Sequence, residues 1–282
     1  MEHIVRQMDL SGPLDDYDKT MVNFNCVLLS YTRNDQVDAA KALLQRLIES
    51  VHLQPTIVSY TTVIDGYAAA RYSTDSARQA MLLLDQAKET FRRNKYHVDL
   101  QPNAKTYAAV LRALSRYPQE LPGSATIARS LVLELERQYN ATERSVEELR
   151  PTAYLYNHVI NCAANTEGSK EEKREAFQIA AKAYRQLRQA PDLSVDAYTY
   201  SFWLKACNAL LDASDFYVQC VTLPMKQCQK DGLVSNDVLR KLQGGHLTSD
   251  RVKELMGVPR TEELFIQVHD IDPDWSRNVP RR

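Results

Sequence analysis

The chain has 282 residues, of which 44% are hydrophobic and 25% charged, and its formal net charge at pH 7 is -1. This composition is ordinary for a folded globular protein and gives no sign of a disordered tail or a membrane span. Because acidic and basic residues balance, no overall positive field draws the protein onto nucleic acid, so any such affinity needs a local surface.

Glycine and proline are scarce for this length, with eight and eleven residues, which favours long helices with short connections and predicts an all-α fold. The cysteine count is odd, no CxxC pair occurs, and most cysteines fall at core-like helical positions. We therefore expect reduced thiols in a reducing compartment.

The N-terminal residues MEHIVRQMDLSGPLDDYDK have neither the apolar stretch of a secretion signal nor the basic, acid-poor composition of a transit peptide. Ile4, Val5 and Met8 are spaced like the last turns of a helix. We interpret residues 1–20 as the remnant of a preceding repeat, and we expect the chain to be the C-terminal portion of a longer array or the product of a truncated gene model.

Five segments with similar beginnings follow. They start at Met21, Ile57, Ala104, Ala153 and Ala197, and each has an aromatic residue at its fourth place: Phe24, Tyr60, Tyr107, Tyr156 and Tyr200. In each, apolar residues recur later at spacings of four and then three, as in Ala40, Leu44 and Leu47 or Ala180, Tyr184 and Leu187. Such spacing places them on one face of a second helix that packs on the first. The sequence thus predicts a solenoid of helix-turn-helix repeats.

The junctions between these segments also repeat, as QPT before Ile57, QPN before Ala104 and RPT before Ala153. Proline stops the outgoing chain, and the polar residue after it is suited to cap the next helix. We place five repeats at 21–56, 57–103, 104–152, 153–196 and 197–236, and we interpret 237–282 as C-terminal capping helices and a tail.

A helix pair that opens with an aromatic followed by a small polar residue and closes with proline and a polar residue resembles the pentatricopeptide repeat family. The resemblance covers the five units from Met21 to Asn236, although all but the first are longer than the family's usual repeat. It implies a right-handed α-solenoid that binds single-stranded RNA. Tetratricopeptide repeats are the alternative, but their signature includes a Leu-Gly pair that does not occur here at a matching place.

The resemblance also implies the base-contacting residues of each repeat. The fifth places are Asn25, Thr61, Ala108, Asn157 and Ser201, and the last places are Thr56, Asn103, Thr152, Asp196 and Asn236. The second places, which pack on base faces in the family, are Val22, Val58, Lys105, Tyr154 and Tyr198. By the family's pairing habit, Thr61 with Asn103 and Ser201 with Asn236 favour adenine, and Asn157 with Asp196 favours uracil.

Each assignment has a structural alternative. The last-place residues serve equally well as helix N-caps, the fourth-place aromatics as packing between helices, and basic residues such as Arg33, Arg112 and Lys205 as a solvated face rather than phosphate contacts. Ala108 offers no polar group, so the third repeat is expected to read no base in this way.

Sequence motifs for catalysis are absent: there is no GxxxxGK, HExxH or GxSxG, and we expect no enzymatic activity and no cofactor. The expected partner is single-stranded RNA, bound by a monomer that contacts no membrane. By family resemblance the localisation is mitochondrial or plastid, in transcript processing, stability or translation. The alternative function is a helical scaffold that binds a protein segment on its concave face.

Overall fold

The computed structural model describes residues 17–50, 54–71, 75–94, 97–259 and 265–280. All regular secondary structure in these ranges is helical, which confirms the expected all-α class. The right-handed solenoid stays a prediction. Residues 1–16 lie outside the described part, and with them the helix remnant inferred from Ile4, Val5 and Met8.

The described helices alternate between what we call first and second helices of each repeat. The first helices are α1 (Tyr17–Arg33), α3 (Ile57–Ala69), α5 (Ala104–Arg116), α7 (Ala153–Ala164), α9 (Ala197–Leu210) and α11 (Asn236–Gln243). The second helices are α2 (Val37–Glu49), α4 (Ser76–Arg93), α6 (Ser124–Ala141), α8 (Lys170–Gln189), α10 (Asp215–Asp231) and α12 (Ser249–Leu255). Short 3-10 turns lie at Val98–Leu100, Pro118–Glu120, Glu147–Leu149, Val268–Asp270 and Pro273–Ser276.

Polar residues at the junctions start several first helices. Asn103 accepts hydrogen bonds from the backbone N–H groups of Lys105 and Thr106, and Asp196 accepts one from Thr199. These bonds satisfy helix-end donors that would otherwise lack partners. The sequence pattern therefore located α5 and α9 through their caps.

The remaining junctions differ from the expected pattern. Thr56 and Thr152 occupy the N-cap positions of α3 and α7, but their side chains form no capping hydrogen bond. Asn236 is not a cap: α11 is capped by Ser235, whose hydroxyl accepts from Val238 N–H. The assignment of Asn236 as the capping last place was thus wrong by one residue, because serine and asparagine are both good caps and the sequence does not rank neighbours.

The packing pattern inferred from apolar spacing matches the buried residues. All the fourth-place aromatics are buried, as are the second-helix residues Ala40, Leu44, Leu47, Ala180 and Leu187. The hydroxyls of three fourth-place tyrosines bond to side chains on the second helix of the same repeat: Tyr60 to Thr90, Tyr107 to Gln138 and Tyr200 to Asp231. These three tyrosines therefore join the two helices of their repeats through both apolar contact and a hydrogen bond.

The chain divides into two compact units, one of Met1–Pro122 with Glu134–Arg150 and one of Gly123–Leu133 with Pro151–Arg282. In the first unit, α3 packs between α1 and α5, with α2 and α4 against them. In the second, α9 packs between α7 and α11, with α8 and α10 against it. Within each unit the first helices thus form one layer, and the second helices form the other.

The C-terminal segment 265–280 closes the last helix pair of the second unit. Val234 N–H donates to the carbonyl of Trp275 at 2.8 Å, and Asn278 N–H donates to the carbonyl of Gly232 at 2.9 Å. Gln243 binds the backbone of Ile266 through both its side-chain oxygen and its nitrogen. These bonds satisfy polar groups around the ends of α10 and α11.

Gly66 sets the approach of α1 to α3, and its replacement tests that packing. A Cβ at this position would collide with the Thr32 side chain and lie 3.2 Å from Val37 Cγ2. We predict that Gly66→Ala lowers the free energy of unfolding by about 1–3 kcal/mol, since overpacking outweighs the gain of about 0.5–1 kcal/mol in helix propensity. Urea unfolding measures the change.

The matched control is Gly66→Ala combined with Thr32→Ala, which removes the colliding methyl group. We expect the double variant to be less destabilised than the sum of the two single changes, because the two side chains are in contact. Strictly additive losses would contradict close packing at this point.

Candidate nucleic-acid interface

The second-place residues of the first helices are exposed. Val22, Val58, Tyr154 and Tyr198 retain 60%, 55%, 45% and 51% of their accessible surface, and Lys105, the equivalent residue of α5, is also exposed. Since apolar side chains of this size are usually buried, their recurrence at one position of successive first helices marks that face as unusual. Rings and valine methyl groups in this position are available to pack against a ligand.

A groove of about 890 Å³ lies on the first-helix layer of the first unit and is lined by α1, α3 and α5. It brings together four residues predicted for RNA contact: Val58, Thr61, Asn103 and Lys105. Its cationic lining residues come from four separate places in the sequence: Arg33, Arg71, Lys105 and Arg112. The groove therefore combines an apolar patch, small polar groups and positive charge.

Two carboxylates, Asp35 and Asp65, also line this groove. Asp65 accepts a hydrogen bond from Arg112 at 2.8 Å, and burial raises the pKa of its carboxyl while Arg112 opposes that rise. In the described part of the chain, Arg33, Arg71 and Lys105 form no ion pair. The positive charge at the groove is thus only partly neutralised.

The fifth-place side chains of both units hydrogen-bond to the beginning of the next first helix. In the first unit, Ser59 donates to Asn25 Oδ1 at 2.8 Å, and the hydroxyls of Thr61 and Thr106 lie 2.8 Å apart. In the second unit, Asn157 Nδ2 donates to Asp196 Oδ1 at 3.1 Å, and the Ser201 hydroxyl donates to Asp237. Each bond links neighbouring first helices at the same level.

These hydrogen bonds limit the access of a ligand to some of the residues predicted to contact bases. Asn157 and Ser201 are only 2% and 1% exposed, whereas Asn25 and Thr61 are half-buried and remain in reach of a ligand. The structure does bring Asn157 and Asp196 together, but they bond to each other. Ser201 and Asn236 are not joined, because Asp237 takes the Ser201 hydroxyl and Asn236 accepts from Val268 N–H at 3.1 Å.

Asn157 leaves one buried atom without a partner. The Asp196 carboxylate can only accept a hydrogen bond. The side-chain amide of Asn157 therefore points its nitrogen toward Asp196 and its Oδ1 away from it. Asn157 Oδ1 is buried and accepts no hydrogen bond. Asp196 Oδ1 additionally accepts from the Thr199 N–H at 2.8 Å and the Thr199 hydroxyl at 2.9 Å, so it acts chiefly as a cap.

A row of rings in the second unit extends the second-place tyrosines. The ring centroids of Tyr154 and His158 are 4.3 Å apart, those of His158 and Phe202 6.3 Å, and those of Phe202 and Tyr198 6.2 Å. His158 and Phe202 occupy the sixth place of their helices and were missed from the sequence. The signal was present, because an aromatic or imidazole one turn after a second-place tyrosine falls on the same helix face.

Lys205 lies on the next turn of α9 and donates to Asn161 Oδ1 of α7 at 2.8 Å. Burial lowers the pKa of its amine, and Lys241 lowers it further.

The third-place residues Ser59, Thr106 and Thr199 also form hydrogen bonds that the sequence analysis did not predict. A hydroxyl three residues after a cap is typical of reciprocal capping and could have indicated them.

The described cysteines are mostly buried, and their burial affects the reactivity of their thiols. Burial raises the pKa of Cys162, Cys207 and Cys228, which favours the protonated, unreactive thiol. Cys26 is exposed, unlike the core-like position expected for most cysteines.

Over the described ranges, no group of three or more His, Cys, Asp or Glu side chains is arranged to hold a metal ion. No helix in the same ranges has the length and apolar character needed to cross a membrane.

Comparison of the chain with protein-family models, with curated proteins and with solved structures found no match. The pentatricopeptide assignment therefore stays a prediction from the repeat pattern.

The hydrogen bond between Asn157 and Asp196 can be tested by its effect on the stability of the fold. Asn157→Asp places two carboxylates in contact, so the folded-state pKa of the new group rises above its unfolded value. We expect unfolding free energy to fall by about 1–3 kcal/mol at neutral pH and to recover as pH drops toward 4 and the new carboxyl takes up a proton. Urea unfolding across this pH range measures both effects.

Asn161→Asp is the control, since it is the same substitution one turn further along α7. The new carboxylate there faces the Lys205 amine, so its effect at neutral pH should be neutral or stabilising. Equal losses in the two variants would contradict the assigned partner of Asn157.

Proposed function

We propose that the chain binds single-stranded RNA through the exposed sides of the first helices in each of its two units, and that it serves transcript processing, stability or translation in an organelle. The observation that carries the proposal is the repeated exposure of the second-place residues Val22, Val58, Tyr154 and Tyr198. Within each unit, successive first helices thus offer one exposed apolar or aromatic side chain each, which suits a ligand that presents one flat base after another.

Stacking is the first contribution that supports the proposal. The exposed rings of Tyr154 and Tyr198 adjoin the buried His158 and the half-buried Phe202 of α7 and α9, with centroid separations from 4.3 to 6.3 Å. Every base has an apolar face, so such a surface holds single strands with little dependence on sequence, at about 1–3 kcal/mol per stacked base.

Charge is the second contribution. Arg33, Arg71 and Lys105 at the groove of the first unit form no ion pair in the described ranges, so their charges are available to phosphates. Arg112 at the same groove is already paired with Asp65 at 2.8 Å. A local group of this kind supplies affinity even though the whole chain is close to neutral.

Base selectivity is proposed to be strongest in the first unit. Thr61 and Asn103 line the groove and remain partly accessible. Asn157 and Ser201 would contact a base only after a shift of their helices or side chains, because both are buried. We therefore propose tight, weakly selective binding in the second unit and selective contact at Thr61 and Asn103.

A protein segment is the second candidate ligand for the same surface. The observations that favour it are the apolar side chains Val22, Leu29 and Val58 on α1 and α3 and the carboxylates Asp35 and Asp65 in the groove, which repel phosphates. The two candidates differ in salt dependence and in the role of the rings, and the next two experiments separate them.

Substitution of the two second-place tyrosines tests whether their rings stack on RNA bases. We expect the double variant Tyr154→Ala and Tyr198→Ala to weaken binding of fluorescent single-stranded RNA homopolymers by at least about tenfold, as two stacked bases are lost. Fluorescence anisotropy on the full chain measures the change. The control Phe216→Ala removes an exposed ring from a second helix and should leave RNA affinity unchanged, so equal losses would contradict the assigned face.

The cations test phosphate contact. Arg33→Ala with Lys105→Ala should weaken RNA binding and make the slope of log K against log salt shallower by about 0.7 per lost phosphate contact. Arg46→Ala removes an exposed cation of α2 and is the matched control. Binding of RNA with an unchanged slope would contradict phosphate contact at these two cations, and no RNA binding beside salt-insensitive peptide binding would replace RNA by the protein-segment alternative.

A further inference from the structure

A second cavity lies on the second-helix side of the second unit, apart from the predicted RNA contacts. It has a volume of about 550 Å³ and is lined by the first turns of α8, the end of α9 and the start of α10. None of the residues predicted for RNA binding lines it. Its lining residues are therefore unexplained by the proposed function.

The floor of this cavity is apolar and rigid. Phe177, Leu210 and Leu211 form it, and Phe216 stands at its edge with 55% of its surface exposed. The rings of Phe216 and Phe177 meet edge to face at 5.9 Å, and Phe177 lies 5.7 Å from the buried Trp203. An exposed ring held in place by core aromatics loses little conformational entropy when a ligand covers it.

The rim of the cavity is cationic. Lys170, Lys173 and Arg174 line it, and Asp212 is the single carboxylate among the described lining residues. Lys170 reaches Asp212 at 3.6 Å, but both side chains are about 90% exposed and water screens their attraction.

Lys173 and Arg174 are at least as available as Lys170 to the acidic groups of a ligand. Arg174 meets Glu171 only at 4.0 Å, again in solvent. Lys173 forms no ion pair within the described residues. The cavity therefore carries more positive charge than its own carboxylates neutralise.

We propose that this cavity binds an acidic segment of a partner protein that inserts one leucine or phenylalanine side chain. The apolar floor covers that side chain, and Lys170, Lys173 and Arg174 attract Asp or Glu residues beside it. Charge complementarity selects this occupant over a basic or neutral peptide. An acidic peptide supplies both an apolar side chain for the floor and carboxylates for the cations, whereas a nucleic acid has no aliphatic side chain to fill the apolar part.

The experiment selects binders from a displayed library of random peptides on the immobilised full chain. The recovered peptides should be rich in Asp and Glu around an apolar residue. A fluorescent synthetic copy of the most enriched peptide should then bind about tenfold more weakly to the double variant Lys173→Glu and Arg174→Glu, and more weakly at raised salt.

The matched control is Lys182→Glu with Arg185→Glu, which reverses two exposed charges further along the same helix and should leave peptide affinity unchanged. Phe216→Ala should also weaken the peptide about tenfold, and thermal melts of all variants report folding. Melts unchanged from wild type assign the losses to the cavity, and Lys173→Glu with Arg174→Glu keeps the test valid if Phe216→Ala unfolds.

Three outcomes would overturn the proposal: recovery of only basic or neutral peptides, equal losses in the cavity and control variants, or a loss of RNA binding in place of peptide binding when Lys173 and Arg174 are reversed. The last outcome would assign the rim to nucleic acid. Failure of this test leaves the tyrosine and salt experiments on the first helices unaffected, because the only variant common to both, Phe216→Ala, serves there as a control and is measured with RNA rather than peptide.

Discussion

The hydrogen bonds between neighbouring first helices are the constraint on which the described surface depends. In each unit a fifth-place side chain bonds to the first turn or cap of the next first helix, as Thr61 does with Thr106 and Asn157 with Asp196. Buried polar groups need partners, so these bonds fix the helices at one level relative to each other. The exposure of the second-place side chains follows from the phase of each helix, and these bonds fix how neighbouring first helices within a unit present them.

The same constraint limits what the polar residues can do with a ligand. A fifth-place side chain that already bonds to its neighbour reads a base only by giving up or sharing that bond, which costs more where the residue is buried, as at Ser201. Stacking and phosphate contacts need no such exchange. The proposed mode of RNA binding therefore relies on exposed rings and cations, with selectivity confined to half-buried positions such as Thr61.

The two layers of helices present different chemistry. First helices expose small apolar residues, rings and dispersed cations, whereas the cavity formed by α8, α9 and α10 has an enclosed apolar floor with Lys173 and Arg174 at its rim. The cations at the rim come from the first turns of α8, which begins with the charged run KEEKRE. The proposed RNA contacts and the proposed peptide cavity therefore involve different side chains.

The sequence by itself determined the all-α class, the starts of α3, α5, α7 and α9, and the burial of the fourth-place aromatics, because helix periodicity and capping act over a few neighbouring residues. It also indicated the exposed second places, which follow from the phase of one helix. Only the tertiary structure decided that Asn157 bonds to Asp196, that Ser201 bonds to Asp237 rather than Asn236, and that Phe216 stands over an apolar cavity. Those hydrogen-bond partners lie 39 and 36 residues apart in the chain, and the competition among nearby polar groups is settled by helix packing, which local patterns do not encode.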